Sequence, residues 1–121
     1  MKKIYYLSSC STNRNILREL NLKGVELQDI KKNKISENEI DQMAKIAGSY
    51  EALFSRKAMK FRSLRLNTIS LNEKDYKKYI LEEYTFLRRP VAIIDGEVFI
   101  GNSKKNVEAL KTKLNQHKDT D

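Results

Sequence analysis

The chain of 121 residues has one cysteine, one proline, one histidine, no tryptophan and only four glycines. A single cysteine excludes an intramolecular disulfide framework and any structural zinc site built on cysteines. The single histidine, His117, lies in a polar tail, so no metal centre is expected. Long apolar runs are also missing. Met1 to Lys3 lead only into Ile4-Tyr5-Tyr6-Leu7, too short for the apolar region of a signal peptide or for a membrane span. The expected location is the cytoplasm, with no membrane partner. The sequence shows no internal repeat and no low-complexity segment.

What is present suffices for a folded domain. Hydrophobic residues make up 40% of the chain, including six tyrosines and four phenylalanines, beside a charged fraction of 33%. A chain of this size buries roughly two-thirds of the surface that its unfolded form exposes. One domain is expected over residues 1–115, with a frayed polar tail at 116–121. The net charge of +8 comes from lysines and arginines spread along the whole chain, with local runs at Lys31-Lys32, Arg56 to Arg65 and Lys104-Lys105. That dispersion, without a motif interleaving aromatic and basic residues, does not point to nucleic acid.

Periodicity orders the elements. Ile4 to Leu7 reads as a strand, Ser8 to Asn13 as a polar loop, and Ile16, Leu17 and Leu20 as one face of a helix stopping at Gly24. Val25 to Ile30 alternates as a half-buried strand does, and a right-handed crossover lays it parallel to the first. Ser36 with Glu39 forms a capping box for a helix that carries Ile40, Met43, Ala44 and Ala47 and ends at Gly48. Tyr50 to Phe54 reads as a further helical turn or two. Ser70 with Glu73 repeats the box before a helix bearing Tyr76, Tyr79, Ile80 and Tyr84. After Pro90, Val91 to Ile94 and Val98 to Ile100 flank Asp95-Gly96, the signature of a tight hairpin. Asn102 or Ser103 caps a last helix with Val107, Leu110 and Leu114. Strand, helix, strand, a helical insert, then strand, strand, helix is the order of the thioredoxin-like α/β fold. It implies a four-stranded mixed sheet flanked by helices, with the insert after the second strand.

Cys10 lies between the end of a strand and the start of a helix. A thiol there faces backbone N–H groups and the positive end of the helix dipole, which favour thiolate over thiol. Ser11, Thr12, Asn13 and Arg14 add hydroxyl, amide and guanidinium donors, so the same loop suits an oxyanion. A lone cysteine is commonly a small buried hydrophobe, but the polar neighbours Ser8, Ser9, Ser11, Thr12 and Asn13 favour a reactive role. Arg89 precedes Pro90 at a strand entry, where proline is tolerated at an edge, at a strand start or as a cis bond. On their own, Arg88 and Arg89 read equally well as solvated charges.

Cys10-Ser11-Thr12-Asn13-Arg14, Ser55-Arg56-Lys57 and Leu87-Arg88-Arg89-Pro90-Val91, followed by Asp95-Gly96 and Gly101, resemble the arsenate reductase and Spx family in order and spacing. The resemblance implies an arsenate reductase-like thiol oxidoreductase with Cys10 as nucleophile. Arg14, Arg56 and Arg89 would serve the anion, and Ser11, Thr12, Asn13 and Pro90 would line its site. It implies no bound cofactor, glutathione as co-substrate with glutathione or glutaredoxin resolving the intermediate, and a small oxyanion or thiol adduct as substrate. Gly101, followed by Asn102, stands where the reductases place a third arginine, and Tyr6 stands where they place a histidine. The alternative implied by the same resemblance is an Spx-like regulator that binds the C-terminal domain of the RNA polymerase α subunit without catalysis. Asn13 stands where the second cysteine would be in the Cys-x-x-Cys switch that many such regulators carry, which excludes that internal disulfide here.

Overall fold

A computed structural model describes residues 1–116. His117 and the rest of the expected tail lie outside the described residues. The chain forms two compact units, one of Met1–Asn33 with the chain from Arg89 onward, the other of Lys34–Arg88.

The first unit holds the sheet. β1 (Lys2–Tyr6), β2 (Glu26–Asp29), β3 (Val91–Ile94) and β4 (Glu97–Ile100) line up in the order β2-β1-β3-β4. β1 runs parallel to β2 and antiparallel to β3, and β3 runs antiparallel to β4. The parallel pair needs a crossover, which α1 (Ser11–Glu19) supplies. The β3–β4 turn is made by Asp95 and Gly96, both at positive φ (49° and 86°), the backbone a two-residue hairpin requires. One face of the sheet is sealed by α1 and α5 (Lys104–Asn115): Ile4, Ala92 and Ile94 pack with Ile16, Leu20, Val107, Leu110 and Leu114.

Three expectations are adjusted in this unit. α1 ends at Glu19 rather than at Gly24, because Leu20 leaves the helix in extended conformation while keeping its side chain in the core. Gly24, at φ 73°, serves the turn before β2. β2 is also wetter than its alternation suggests, with Leu27 42% exposed, because it is an end strand of the sheet. Of the two candidate caps of α5, Ser103 is the one used, accepting from the Asn106 amide at 3.2 Å.

The second unit is helical. α2 (Glu37–Ala47) starts in the expected capping box, with Ser36 Oγ accepting from the Glu39 amide at 3.1 Å and the Glu39 carboxylate accepting from the Ser36 amide at 2.9 Å. Gly48 closes it at φ 98°. A 3-10 turn (Glu51–Leu53), α3 (Met59–Ser63), a second 3-10 turn (Leu66–Thr68), α4 (Glu73–Glu82) and a third (Tyr84–Phe86) follow. α3 carries no buried residue, which is why apolar periodicity did not mark it.

The cap of α4 is two residues later than expected. Asn72 and Asp75, not Ser70 and Glu73, form the box. The Glu73 carboxylate is engaged elsewhere: it accepts from the Tyr50 and Glu51 amides at 2.7 and 3.1 Å, at the head of the first 3-10 turn. Asn72→Ala is therefore expected to cost about 1 kcal/mol, while Ser70→Ala leaves the midpoint of chemical denaturation unchanged.

Candidate active site

β1 delivers the chain into a tight loop, Leu7 to Cys10, in which Leu7, Ser8 and Cys10 are hydrogen-bonded. The Cys10 amide donates to Leu7 O at 3.1 Å and the Leu7 amide to Asn13 Oδ1 at 3.0 Å. Arg14 Nη1 donates to Ser8 O at 2.7 Å. Cys10 is the N-cap residue of α1, and its side chain makes no capping hydrogen bond. The half-buried thiol therefore sits at the helix N-terminus, where the first backbone amides lack intrahelical acceptors and the dipole is positive. Ser11 and Thr12 are exposed on the first turn. Asn13 is 1% exposed, and its carbonyl oxygen holds the loop through Leu7. The structure thus gives Asn13 a role in building the site.

Ser8, one of the small polar neighbours of Cys10, and Asp29, in the second strand, together fasten this loop. The Ser8 hydroxyl donates a hydrogen bond to the Asp29 carboxylate, and the Ser8 amide donates to Asp29 Oδ1 at 3.4 Å. Burial pushes the Asp29 carboxyl up, but the Ser8 hydroxyl, the Lys31 and Ser8 amides and the Lys32 charge outweigh it and hold it below its ordinary value. The signal was available in the register: Asp29 ends β2 opposite Tyr6, two residues before Ser8.

Arg89 and Pro90 leave the sheet at the same end as this loop. Val91 pairs with Tyr5, one residue before the end of β1, so the start of β3 lies beside the chain leading to Cys10. The Arg89–Pro90 peptide is cis. Arg89 is half-buried and Pro90 buried. Pro90 O accepts from the Gly101 amide at 2.8 Å, which places Gly101, at the end of β4, on this edge too. The Gly101 carbonyl accepts from Asn106 Nδ2 at 2.8 Å. A surface cleft of about 400 Å³ lined by Glu97, Phe99, Thr112 and Lys113 begins at the opposite end of β4 and touches none of these residues.

Arg56 belongs to the second unit. Its Nη2 donates to Glu51 Oε2 and to the Tyr76 hydroxyl, both at 2.8 Å, and its guanidinium lies 5.5 Å from the Tyr76 ring centroid. The Glu51 carboxylate raises the Arg56 pKa against the opposing effect of burial, so this cation is already partnered. Arg88, exposed, is tied to the same segment, its amide donating to Leu53 O at 2.8 Å. Among the described residues no group of three or more His, Cys, Asp or Glu is placed to hold a metal ion. No described helix is long and apolar enough to cross a membrane.

The profile of the ArsC family matches residues 5–110. An arsenate reductase from Vibrio cholerae superposes with a TM-score of 0.72 at 22% identity, covering 90% of this chain and 96% of that one. An arsenate reductase (ArsC) related protein from Brucella melitensis superposes at 0.66 and 24% identity, covering 89% and 92%. The YFFB protein reaches 0.77 at 18% identity, covering 94% and 99%. These likenesses establish the fold as that of the arsenate reductases, a thioredoxin-like arrangement. No curated protein matches the chain by sequence.

Proposed function

The chain belongs to the ArsC family, and we propose that it is an arsenate reductase-like thiol oxidoreductase whose one nucleophile is Cys10 and whose resolving thiol comes from glutathione or glutaredoxin. The observation that carries this reading is the position of Cys10: an uncommitted thiol at the N-cap of α1, with the Arg14 guanidinium anchored on the same loop. Both features favour an incoming anion.

With a glutathione mixed disulfide as substrate, the Cys10 thiolate attacks the glutathione sulfur. A Cys10–glutathione disulfide forms as the substrate S–S bond breaks, and the substrate thiolate leaves and takes up a proton. A second glutathione, or glutaredoxin, then attacks the glutathione sulfur of that disulfide, forming glutathione disulfide or glutathionylated glutaredoxin as the bond to Cys10 breaks and Cys10 leaves as thiolate, because no second protein cysteine exists to do so. Arg89, at the sheet edge beside the loop, adds positive charge for the anionic group. With Gly101 in place of a third arginine, loss of one charge-assisted contact costs about 1.5–3 kcal/mol, a weakening of oxyanion binding by roughly ten- to a hundredfold. Turnover of a small glutathione mixed disulfide is accordingly expected to exceed turnover of arsenate under the same glutathione supply. Both should vanish in Cys10→Ser. Turnover that survives in Cys10→Ser overturns the assignment.

One observation favours a second reading, the Spx-like regulator. From Ala52 to Asn72 there is no acidic residue and there are five basic ones, Arg56, Lys57, Lys60, Arg62 and Arg65. The same stretch exposes Met59 (89%), Leu64 (52%) and Ile69 (56%), a concentration of apolar surface that suits a protein partner. Saturable binding to the isolated C-terminal domain of the polymerase α subunit, unchanged in Cys10→Ser and lost in Met59→Asp, is the result this reading requires.

A further inference from the structure

We propose that Asp29 is a positioning residue for the Cys10 site, acting through Ser8 to set the anion preference of the thiol; this rests on the reading of Cys10 as the nucleophile.

A continuous chain of contacts within one unit links Asp29 to Arg14. Asp29 is the last residue of β2, and its two carboxylate oxygens divide their work. Oδ2 accepts from the Ser8 hydroxyl, while Oδ1 accepts from the Ser8 amide and, at 3.2 Å, from the Lys31 amide. On its other side the Ser8 residue offers its carbonyl to Arg14 Nη1 at 2.7 Å. Ser8 is thus held through its amide and hydroxyl by Asp29 and through its carbonyl by Arg14.

The consequence concerns the guanidinium. Among the described residues, Ser8 O is the hydrogen-bond acceptor for Arg14, and a carbonyl directs its donor along its own lone pairs. Where that carbonyl points depends on the orientation of the Ser8 peptide units, which Asp29 fixes. Releasing Asp29 therefore lets Arg14 drift from the Cys10 end of α1, although the Cys10 and Leu7 amides keep their own acceptors, Leu7 O and Asn13 Oδ1. The negative charge of Asp29 is occupied by the three donors it receives, so its expected effect on an incoming anion is orientation of Arg14 and not repulsion.

The test compares alkylation of Cys10 by iodoacetate and by the neutral iodoacetamide. The ratio of the two rates reports the positive charge at the thiol, and each variant is compared under conditions where circular dichroism shows it folded, because an unfolded population would pull the ratio toward that of free glutathione. Asp29→Ala is expected to lower the iodoacetate-to-iodoacetamide ratio by about tenfold, the loss of one charge-assisted contact. Asp29→Asn, whose carbonyl oxygen can accept from the Ser8 and Lys31 amides while its Nδ2 donates to the Ser8 hydroxyl oxygen, should stay within about twofold of the parent. Ser8→Ala should lower the ratio, and Ser8→Ala with Asp29→Ala should fall no further than Asp29→Ala alone. A ratio unchanged in Asp29→Ala overturns the proposal, as does an Asp29→Asn value as low as that of Asp29→Ala. Should Asp29→Ala not fold, Ser8→Ala supplies the same comparison. If the parent protein shows no higher ratio than free glutathione, the reading of Cys10 as an anion-selective nucleophile fails instead. The Asp29 clamp is then read separately by amide hydrogen exchange, which should accelerate at Ser8 in Asp29→Ala and remain unchanged at Ile4 and Ala92; no acceleration overturns the clamp.

Discussion

Phe54→Ala is expected to destabilise the Lys34–Arg88 unit by about 3–5 kcal/mol, the usual cost of emptying a buried phenylalanine site. Phe54 is 2% exposed and is the hub of an aromatic cluster: its ring centroid lies 4.9 Å from Tyr76, 5.1 Å from Phe86 and 6.0 Å from Phe61. It also bridges to Leu87, with the Ser55 amide donating to Phe86 O at 2.7 Å, so the segment entering Arg56 is fastened to the residues before Arg89. Tyr76, which packs on Phe54, is also the hydroxyl and ring that hold Arg56. Loss of the phenylalanine should therefore loosen Arg56 as well as the core. Hydrogen exchange resolves the prediction by residue: amides at Leu53, Ile80 and Phe86 should exchange far faster than in the parent protein, while Ile4 and Ile94 in the sheet change less. Uniform acceleration of both sets would show that the two units unfold together, and no acceleration would show that the cluster does not hold the insert.

Arg14→Ala is the second large effect, a slowing of mixed-disulfide turnover by about ten- to a hundredfold at unchanged thermal stability. Arg14 is exposed and its guanidinium hydrogen-bonds Ser8 O, so its removal empties no core. What is lost is a charge-assisted contact of about 1.5–3 kcal/mol beside the thiol. Arg14→Lys should recover only part of the rate. An ammonium is a point donor, whereas the guanidinium fork spends one N–H on Ser8 O and keeps others for the anion. Equal rates for Arg14→Ala and the parent protein would remove Arg14 from the site. A full rescue by lysine would reduce its role to charge alone.

How much of this was legible beforehand follows from where each signal resides. The hairpin at Asp95-Gly96 and the box at Ser36 and Glu39 were readable because turn and cap chemistry is local: a few adjacent residues supply both donor and acceptor. Cys10 was readable for the same reason, since a strand end followed by a helix start is a local pattern. The cap of α4 was misplaced because Ser70-Glu73 and Asn72-Asp75 satisfy the same rule, and the choice is made by a contact 23 residues away, between Glu73 and the Tyr50 amide. Asp29 was overlooked because its partner Ser8 lies 21 residues earlier and meets it only once β2 pairs with β1. Asn13 read as a loop donor, yet it is buried and bonded to Leu7. Polarity alone cannot tell a side chain that builds a loop from one that faces a ligand. Arg56 came forward through resemblance alone, and its partnership with Glu51 and Tyr76 had no counterpart in periodicity.

The central claim is that Cys10 is a nucleophile resolved by an external thiol, and a single-turnover trap tests it most directly. Reduced protein is mixed with excess glutathione mixed disulfide in the absence of free glutathione, and the product is followed by intact mass and peptide mapping. The account predicts one glutathione per chain, on Cys10, with one equivalent of substrate thiol released, and complete return to the reduced mass when glutathione or glutaredoxin is added. An unmodified Cys10 after prolonged exposure, or an adduct that neither thiol removes, would contradict it.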